Sequence, residues 1–392
     1  MKSKKILLIC IYAFLSVVLS ACWDAIEVED KGFLSGVAID LAEEQGENMT
    51  FEMTLQFVVP GGLGTATEAG GGKAFRNLSQ TGESLYEINA DIARQENRST
   101  NTEHLKLILI STDIVEQEEL FGNVINVFLR QSDMRRGMLL GIVDGKAKDL
   151  LEVEPEHVKI PAQYISELME NPRNTETIEQ VRVGEIQEHL LANASFKIPQ
   201  LAFFSDDRVN YEGVSIFEGD KTKMVGTLTG GEVKGLNFII GKDQLGNIVA
   251  DIEGEKAEFV ILKGGSKIKL TNKNKENLKF QVDIDVETQL SQYEGTLDFY
   301  KQENLEKFEK SIEDAIKKMS EDALKKVKDE LQADVLTFGN HLRMHHYELW
   351  EEIKDDWDHG KNYFSKSDAT FNVEAIVREP GNTIKIQTKG DK

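Results

Sequence analysis

Apolar and polar positions alternate along the chain with two periods, and the period changes mark its elements. Residues 32–41 and 49–60 read as strands, and Phe51, Met53, Leu55 and Phe57 of the second recur at every other position. The polar stretch 43–48 between them predicts a hairpin. A further strand is expected at 75–80. Thr81-Gly82-Glu83-Ser84 then opens a helix to about Arg94, with Leu85, Ile88 and Ile92 on its inner face. Residues 105–111 (LKLILIS) are nearly all apolar, the pattern of a strand covered on both faces. A helix over 115–129, a strand over 138–143, a helical turn at 147–151 and helical segments from 155 to 191, broken at Pro161 and Pro172, complete a strand–helix–strand order. That order predicts an α/β layer structure over 22–200.

Residues 195–204 (SFKIPQLAFF) read as an extended apolar linker, so a boundary is expected near 200. Beyond it, strands are expected at 209–217 and 224–228, then a helix over 229–241 capped by Thr229 and Gly241. Strands at 248–252, 257–262, 266–271 and 278–290 predict an antiparallel sheet. From Asn304 to about Leu336 one apolar stripe steps by three or four through Leu305, Phe308, Ile312, Ile316, Met319, Ala323, Val327, Leu331 and Val335. It predicts a single long helix packed on the sheet, with a partner-helix groove as the sharper alternative. Residues 348–364 read as a helix with Trp350 and Trp357 on one face. Strands at 370–377 and 383–388 close the chain around Pro380-Gly381-Asn382. The expected fold is multi-domain α+β: a mixed α/β N-terminal domain (22–200), a middle β-rich region (201–262), and a largely antiparallel sheet with a long helix of about 304–336 (263–392).

The first residues follow a different rule. Lys2, Lys4 and Lys5 precede an apolar run from Ile6 to Leu19, the length of an export signal and short for a membrane span. The run ends Leu19-Ser20-Ala21-Cys22, which resembles the bacterial lipobox. Small side chains flank the cut, and the thiol takes diacylglycerol before cleavage frees the amine. Residues 1–21 are therefore expected to leave as a signal peptide, cut between Ala21 and Cys22. Cys22 is the expected S-diacylglycerol cysteine, with N-acylation (palmitate) of the freed amine as a further step.

Charge sharpens this reading. The chain carries 46 Lys and Arg against 68 Asp and Glu, a net −22, and loses three lysines with the signal. Such acidity excludes ordinary nucleic-acid binding, which needs clustered cations. It also predicts repulsion from anionic headgroups, so attachment is expected through acyl chains. The two cysteines are Cys10, within the signal, and Cys22, leaving no thiol for a disulfide, a thiolate metal site or a nucleophile.

Candidate chemistry is sparse. The glycine-rich stretch 61–72 lacks phosphate-loop spacing, because Gly72-Lys73 is followed by Ala74 and Thr67 stands where the first glycine belongs. It reads as a flexible linker. His341 and His345 share the i, i+4 spacing of two zinc ligands, with His346 adjacent and Glu348, Asp355, Asp358 and His359 nearby, but Leu342 replaces the glutamate of H-E-x-x-H. Asp206-Asp207 and Asp355-Asp356 read as solvated faces, and no G-x-S-x-G occurs. No catalytic residue, metal ligand or cofactor is assigned.

In order along the chain stand Cys22-Trp23-Asp24, Gly36-Val37-Ala38-Ile39-Asp40, Thr81-Gly82-Glu83-Ser84-Leu85 and His104-Leu105-Lys106. Phe128-Leu129-Arg130 with Arg135-Arg136, Ile198-Pro199-Gln200-Leu201 and Tyr211-Glu212-Gly213 follow. Asp334, Phe338-Gly339, Trp350, Trp357, Phe364 and Gly381 complete the series. This series resembles the Ger(x)C family, the lipoprotein C subunits of spore nutrient germinant receptors. It departs at His345-His346, where members often carry Pro before the tryptophan. The resemblance implies a non-catalytic subunit, lipid-anchored to the outer face of the spore inner membrane. It would act beside membrane-embedded A and B subunits to trigger germination on nutrients. A free-standing solute-binding lipoprotein is the alternative, and a lipid-anchored hydrolase of cortex peptidoglycan a third reading.

Overall fold

The computed structural model describes residues 31–46, 48–64, 71–131, 134–171, 179–241 and 246–378. The expected signal, Cys22, the 383–388 strand and its turn lie outside these residues, as does part of the 61–72 loop. The fold is α+β, built on two sheets.

The first sheet has nine strands, β1 (Lys31–Leu41), β2 (Phe51–Val58), β3 (Phe75–Gly82), β4 (Ser99–Asn101), β5 (Leu107–Ser111), β6 (Leu139–Asp144), β7 (Phe196–Ser205), β8 (Arg208–Glu218) and β9 (Lys223–Leu228). Their order is β3-β2-β1-β5-β6-β7-β8-β9, with the short β4 alongside β1. The pairs β1–β5, β5–β6 and β6–β7 are parallel, and antiparallel hairpins flank them. Helices α1 (Leu85–Ala93), α2 (Leu120–Arg130), α3 (Pro161–Met169) and α4 (Val183–Ala192) supply the layers.

The apolar run of β5 now has its cause. Ile108 and Ile110 face a core formed with α1, α2 and α4, while Leu107 and Leu109 face a second core with Ala162, Ile165 and Met169 of α3. Both faces are covered, so every position from Leu107 to Ile110 is apolar, with the buried Ser111 closing the strand. On β1, a Cβ at Gly36 would lie 2.6 Å from the Ala162 side chain, so only glycine lets α3 pack this closely.

The second sheet is β10 (Asn247–Ile252), β11 (Glu255–Asn272), β12 (Lys279–Tyr293) and β13 (Asp368–Arg378), in that order. Helices α5 (Gly231–Ile240), α6 (Gln302–Lys325), α7 (Phe338–His345) and α8 (Tyr347–Ile353) accompany it. Phe308, Ile312, Ile316, Ala323 and Val327 of the apolar stripe are buried in one core with Phe259, Phe280 and Val282, so the stripe packs on the sheet. Gly235 lets α5 and α6 touch, since its Cβ would sit 2.0 Å from the Met319 carbonyl oxygen. The same core takes in Val214, Ile216 and Leu228 from β8 and β9, joining it to the first sheet.

Several elements differ from the sequence reading. Residues 195–204 are not a linker but β7, a paired strand of the first sheet, and the point near 200 falls inside it. Residues 201–262 are shared between the two sheets. The 115–129 helix is interrupted, because Glu119 takes a left-handed backbone (φ 61°) while its N–H donates to the Lys221 carbonyl. The long helix stops short of 336. Its last turn, Lys326–Glu330, widens to π geometry and Gln332 turns left-handed, sending Ala333, Val335 and Leu336 into the core as irregular chain. The 348–364 helix ends at Ile353 and gives way to a 3-10 turn. The strands at 257–262 and 266–271 are one strand, β11. β13 pairs parallel to β12, so the second sheet is antiparallel only through β10, β11 and β12. Helix α5 starts at Gly231 with Gly241 as its left-handed cap, while the Thr229 N–H donates to the Glu232 carboxylate.

Candidate functional site

The parallel strands of the first sheet begin at one end and finish at the other, and the two ends differ chemically. At the finishing end, Asp40 is buried near the close of β1. Its carboxylate accepts the N–H of Ala147 (2.6 Å) and Lys148 (3.0 Å), capping the helical turn Ala147–Leu150. Burial pushes its carboxyl up to about 6 against the lowering pull of those two bonds. Lys148 in turn bridges Glu52 at 2.9 Å, and Lys146 pairs with Glu43.

Gln56, fully buried on β2, does for α3 what Asp40 does for that turn. Its amide oxygen accepts the Ala162 N–H at 2.9 Å, and its nitrogen donates to the Leu151 carbonyl at 2.8 Å and to Asn77 at 2.9 Å. A cavity of about 490 Å³ opens beyond, lined by Asp149, Glu152, Glu154, Phe203 and Asp206.

The beginning end carries cations. Arg130 closes α2, and Arg135 and Arg136 follow in the loop to β6. With Phe128, Met134 and Met138 they line a smaller cavity of about 160 Å³. Arg182, at the head of α4, donates to the Gly137 carbonyl at 2.7 Å and bridges Glu170 at 3.2 Å. Ser132 and Asp133 lie outside the described residues.

In the second sheet the residues Asp334, Phe338-Gly339 and Trp357 form one knot. The Asp334 carboxylate accepts the N–H of Leu336 (3.0 Å), Phe338 (3.3 Å) and Gly339 (2.6 Å), and the Trp357 indole N–H (2.8 Å). Burial, with Asp358 nearby, pushes its carboxyl up to about 6. The Trp350 and Trp357 rings meet edge-to-face at 6.1 Å, across the 3-10 turn Lys354–Asp356 that follows α8 rather than along one continuous helix. Gly339 must be glycine, since a Cβ would sit 2.6 Å from the Trp357 indole nitrogen. Asp358, also buried, accepts the Ser195 N–H at 3.2 Å and so ties this region to the start of β7.

The other residues singled out take structural places. His341 lies with its ring 4.8 Å from that of His345 and 5.8 Å from that of His346. Burial holds His341 and His346 below the usual histidine range. Among the described residues no three His, Cys, Asp or Glu side chains converge as metal ligands. Asp207 is bonded to Ser205 and Arg208, and Asp356 to Lys361. Asp40 and Gln56 were not singled out as polar sites by the sequence, and Asp358, weighed there only as a neighbour of the histidine cluster, is instead a backbone acceptor. A lone acid inside the apolar run of β1 was the available signal for Asp40.

Two family models match in tandem: one described as a spore germination protein N-terminal domain over residues 24–202, and one as spore germination B3/GerAC-like, C-terminal, over 212–381. The chain belongs to the GerAC-like family of spore germination proteins. Between them the models take in both sheets, the Asp334 knot and the arginine-lined cavity. Among relatives of this family, Bacillus subtilis (strain 168) spore germination protein YndF is 29% identical over 96% of this chain and 97% of its own. Spore germination protein A3 of the same strain is 29% identical over 96% and 98%, and spore germination protein B3 is 23% identical over 92% and 94%. The crystal structure of the GerBC protein shares the fold, with a TM-score of 0.60 at 20% identity over 87% of this chain and 97% of that one. No helix among the described residues is long and apolar enough to cross a membrane.

Proposed function

We propose that this chain is the non-catalytic lipoprotein (C) subunit of a spore nutrient germinant receptor. It is held on the outer face of the spore inner membrane by acyl chains on Cys22. There it acts with membrane-embedded A and B subunits in nutrient-triggered germination. The observation that carries the reading is the tandem family match across residues 24–202 and 212–381, in a chain whose leader ends in a lipobox. The buried polar chemistry supports a scaffold role: Asp40, Gln56, Asp334 and Asp358 are occupied with backbone N–H groups of their own fold. Two acyl chains anchor stably where one binds marginally, so the anchor needs no transmembrane helix.

The test replaces Cys22 with alanine in the full chain. The expected result is release of the protein from the spore membrane fraction and impaired germination on nutrients. Normal germination with the variant absent from the membrane would contradict the reading.

A further inference from the structure

The acidic composition predicts repulsion from an anionic bilayer, yet the end of the first sheet where its parallel strands begin is basic. Lys31 starts β1, and Arg98 immediately precedes β4, which runs parallel beside Lys31–Phe33. Lys106 lies next along the same end, its N–H donating to the Ser35 carbonyl and its carbonyl accepting the Leu139 N–H. The loop leading into Leu139 carries Arg135 and Arg136, with Arg130 at the end of α2 behind them. Five of these six side chains, all but Lys31, are exposed. Among the described residues Arg130, Arg135 and Arg136 form no ion pair. Of the acids nearby, Glu170 bridges Arg182, Glu185 accepts the Arg182 N–H and Glu96 pairs with Arg76, while Glu103 is exposed beside Lys106 and Asp24, Glu27, Glu29 and Asp30 precede Lys31 in the sequence. The three arginines share their cavity with Phe128, Leu129 and Met134, which gives it a cationic rim and an apolar wall.

We propose that this arginine-lined end is a docking surface for the phosphate groups of anionic membrane lipids, and that it lies against the bilayer that holds the anchor. Two observations choose lipid as the occupant. The first is charge complementarity, since guanidinium groups bind phosphate through paired N–H donors. The second is where the chain enters the fold. Eight residues separate Cys22 from Lys31, so even a fully extended segment of nine Cα steps keeps this end within roughly 30 Å of an acylated Cys22. The opposite, carboxylate-lined end is thereby turned away from the bilayer. The proposal rests on the anchored reading for its orientation, but its charge argument stands apart from acylation.

The test uses the full chain carrying Cys22→Ala in every sample, so that no acyl chain contributes. Partition is measured onto vesicles of phosphatidylcholine alone and onto vesicles with 30% phosphatidylglycerol, at about 0.1 M salt. The chain should prefer the anionic vesicles. Arg130→Glu/Arg135→Glu/Arg136→Glu should abolish that preference, a loss on the order of a hundredfold, because each cation at such a surface adds roughly fivefold. The Arg→Lys triple, a control for folding, should keep most of it. Lys263→Glu/Lys267→Glu, an equal kind of charge change on the exposed part of β11, should leave it largely unchanged. No preference in the parent chain, or equal losses in the two charge-reversed variants, would overturn the proposal. So would full displacement by millimolar inorganic phosphate, which would make the cavity a small-anion site. A flat response to lipid, with the arginines needed instead to retain another membrane protein, would assign the surface to a protein partner and equally overturn it. Failure of the Cys22 germination test would leave these vesicle results standing, and the reverse also holds.

Discussion

The two ends of the first sheet are built from the same strands but invest their charge in opposite ways. At the finishing end two of the carboxylates are committed to the fold, behind an exposed acidic rim: Asp40 is buried on two backbone N–H groups, and Glu52 holds Lys148 over a partly covered contact. At the beginning end the charges turn outward: Arg130, Arg135 and Arg136 are exposed and without ion-pair partners among the described residues. Charge used inward stabilises the fold and is costly to remove. Charge left outward contributes little to stability and is free for a partner.

Substitutions at the two ends test this contrast. The inward use of charge recurs in the second sheet, so the greatest loss is expected there. Asp334→Ala strands three backbone N–H groups and an indole N–H, and should cost about 3–5 kcal/mol in urea unfolding. Asp40→Ala uncaps the turn at Ala147 and should cost about 2–4 kcal/mol by the same measurement. A loss within experimental error at Asp40 would remove half of the comparison.

The pH dependence is smaller. Asp40 is raised in the native state to about 6, whereas the unfolded carboxyl sits near its ordinary value of 3.8. Between those values the folded protein holds a proton that the unfolded chain releases, so this group's contribution to stability grows as pH falls through 6 and is lost as pH rises through it. The Asp40 contribution should be about 1 kcal/mol between pH 7 and pH 5, and Asp40→Asn should flatten that part of the profile. Glu52→Gln, which leaves Lys148 without its carboxylate, should cost about 0.5–1 kcal/mol. The smallest effect is expected at the outward end, where Arg135→Gln/Arg136→Gln should change stability by less than about 0.5 kcal/mol. A large loss there would show that these side chains hold the loop rather than face outward.

Where one local pattern set the outcome, the sequence was readable. The continuous apolar run of β5, the Leu85/Ile88/Ile92 face of α1 and the stripe of α6 each appear as their periods require. Where a distant partner decided, it was not. The break at Glu119 depends on the Lys221 carbonyl, and the linker reading of 195–204 failed because its pairing strands were not in view. The direction of β13 depends on how the chain between β12 and β13 returns, which no local period encodes. The candidate surfaces follow the same division. Cys22 was read from its immediate neighbours alone, and it lies outside the described residues. The arginines were visible as residues, but their gathering with Arg98 and Lys106 needs the strand order β4-β1-β5-β6. Asp40 was passed over although it is an acid in an apolar strand, and its partners lie 107 and 108 residues away.

The most direct measurement of the proposed function is recovery of the tagged, full-length chain from spore inner membrane in mild detergent, with mass spectrometry of what accompanies it. Two further membrane subunits of one receptor are expected, retained with the chain through washing. Recovery of the chain alone, under conditions that keep other membrane complexes of the same preparation intact, would contradict it and favour a free-standing lipoprotein.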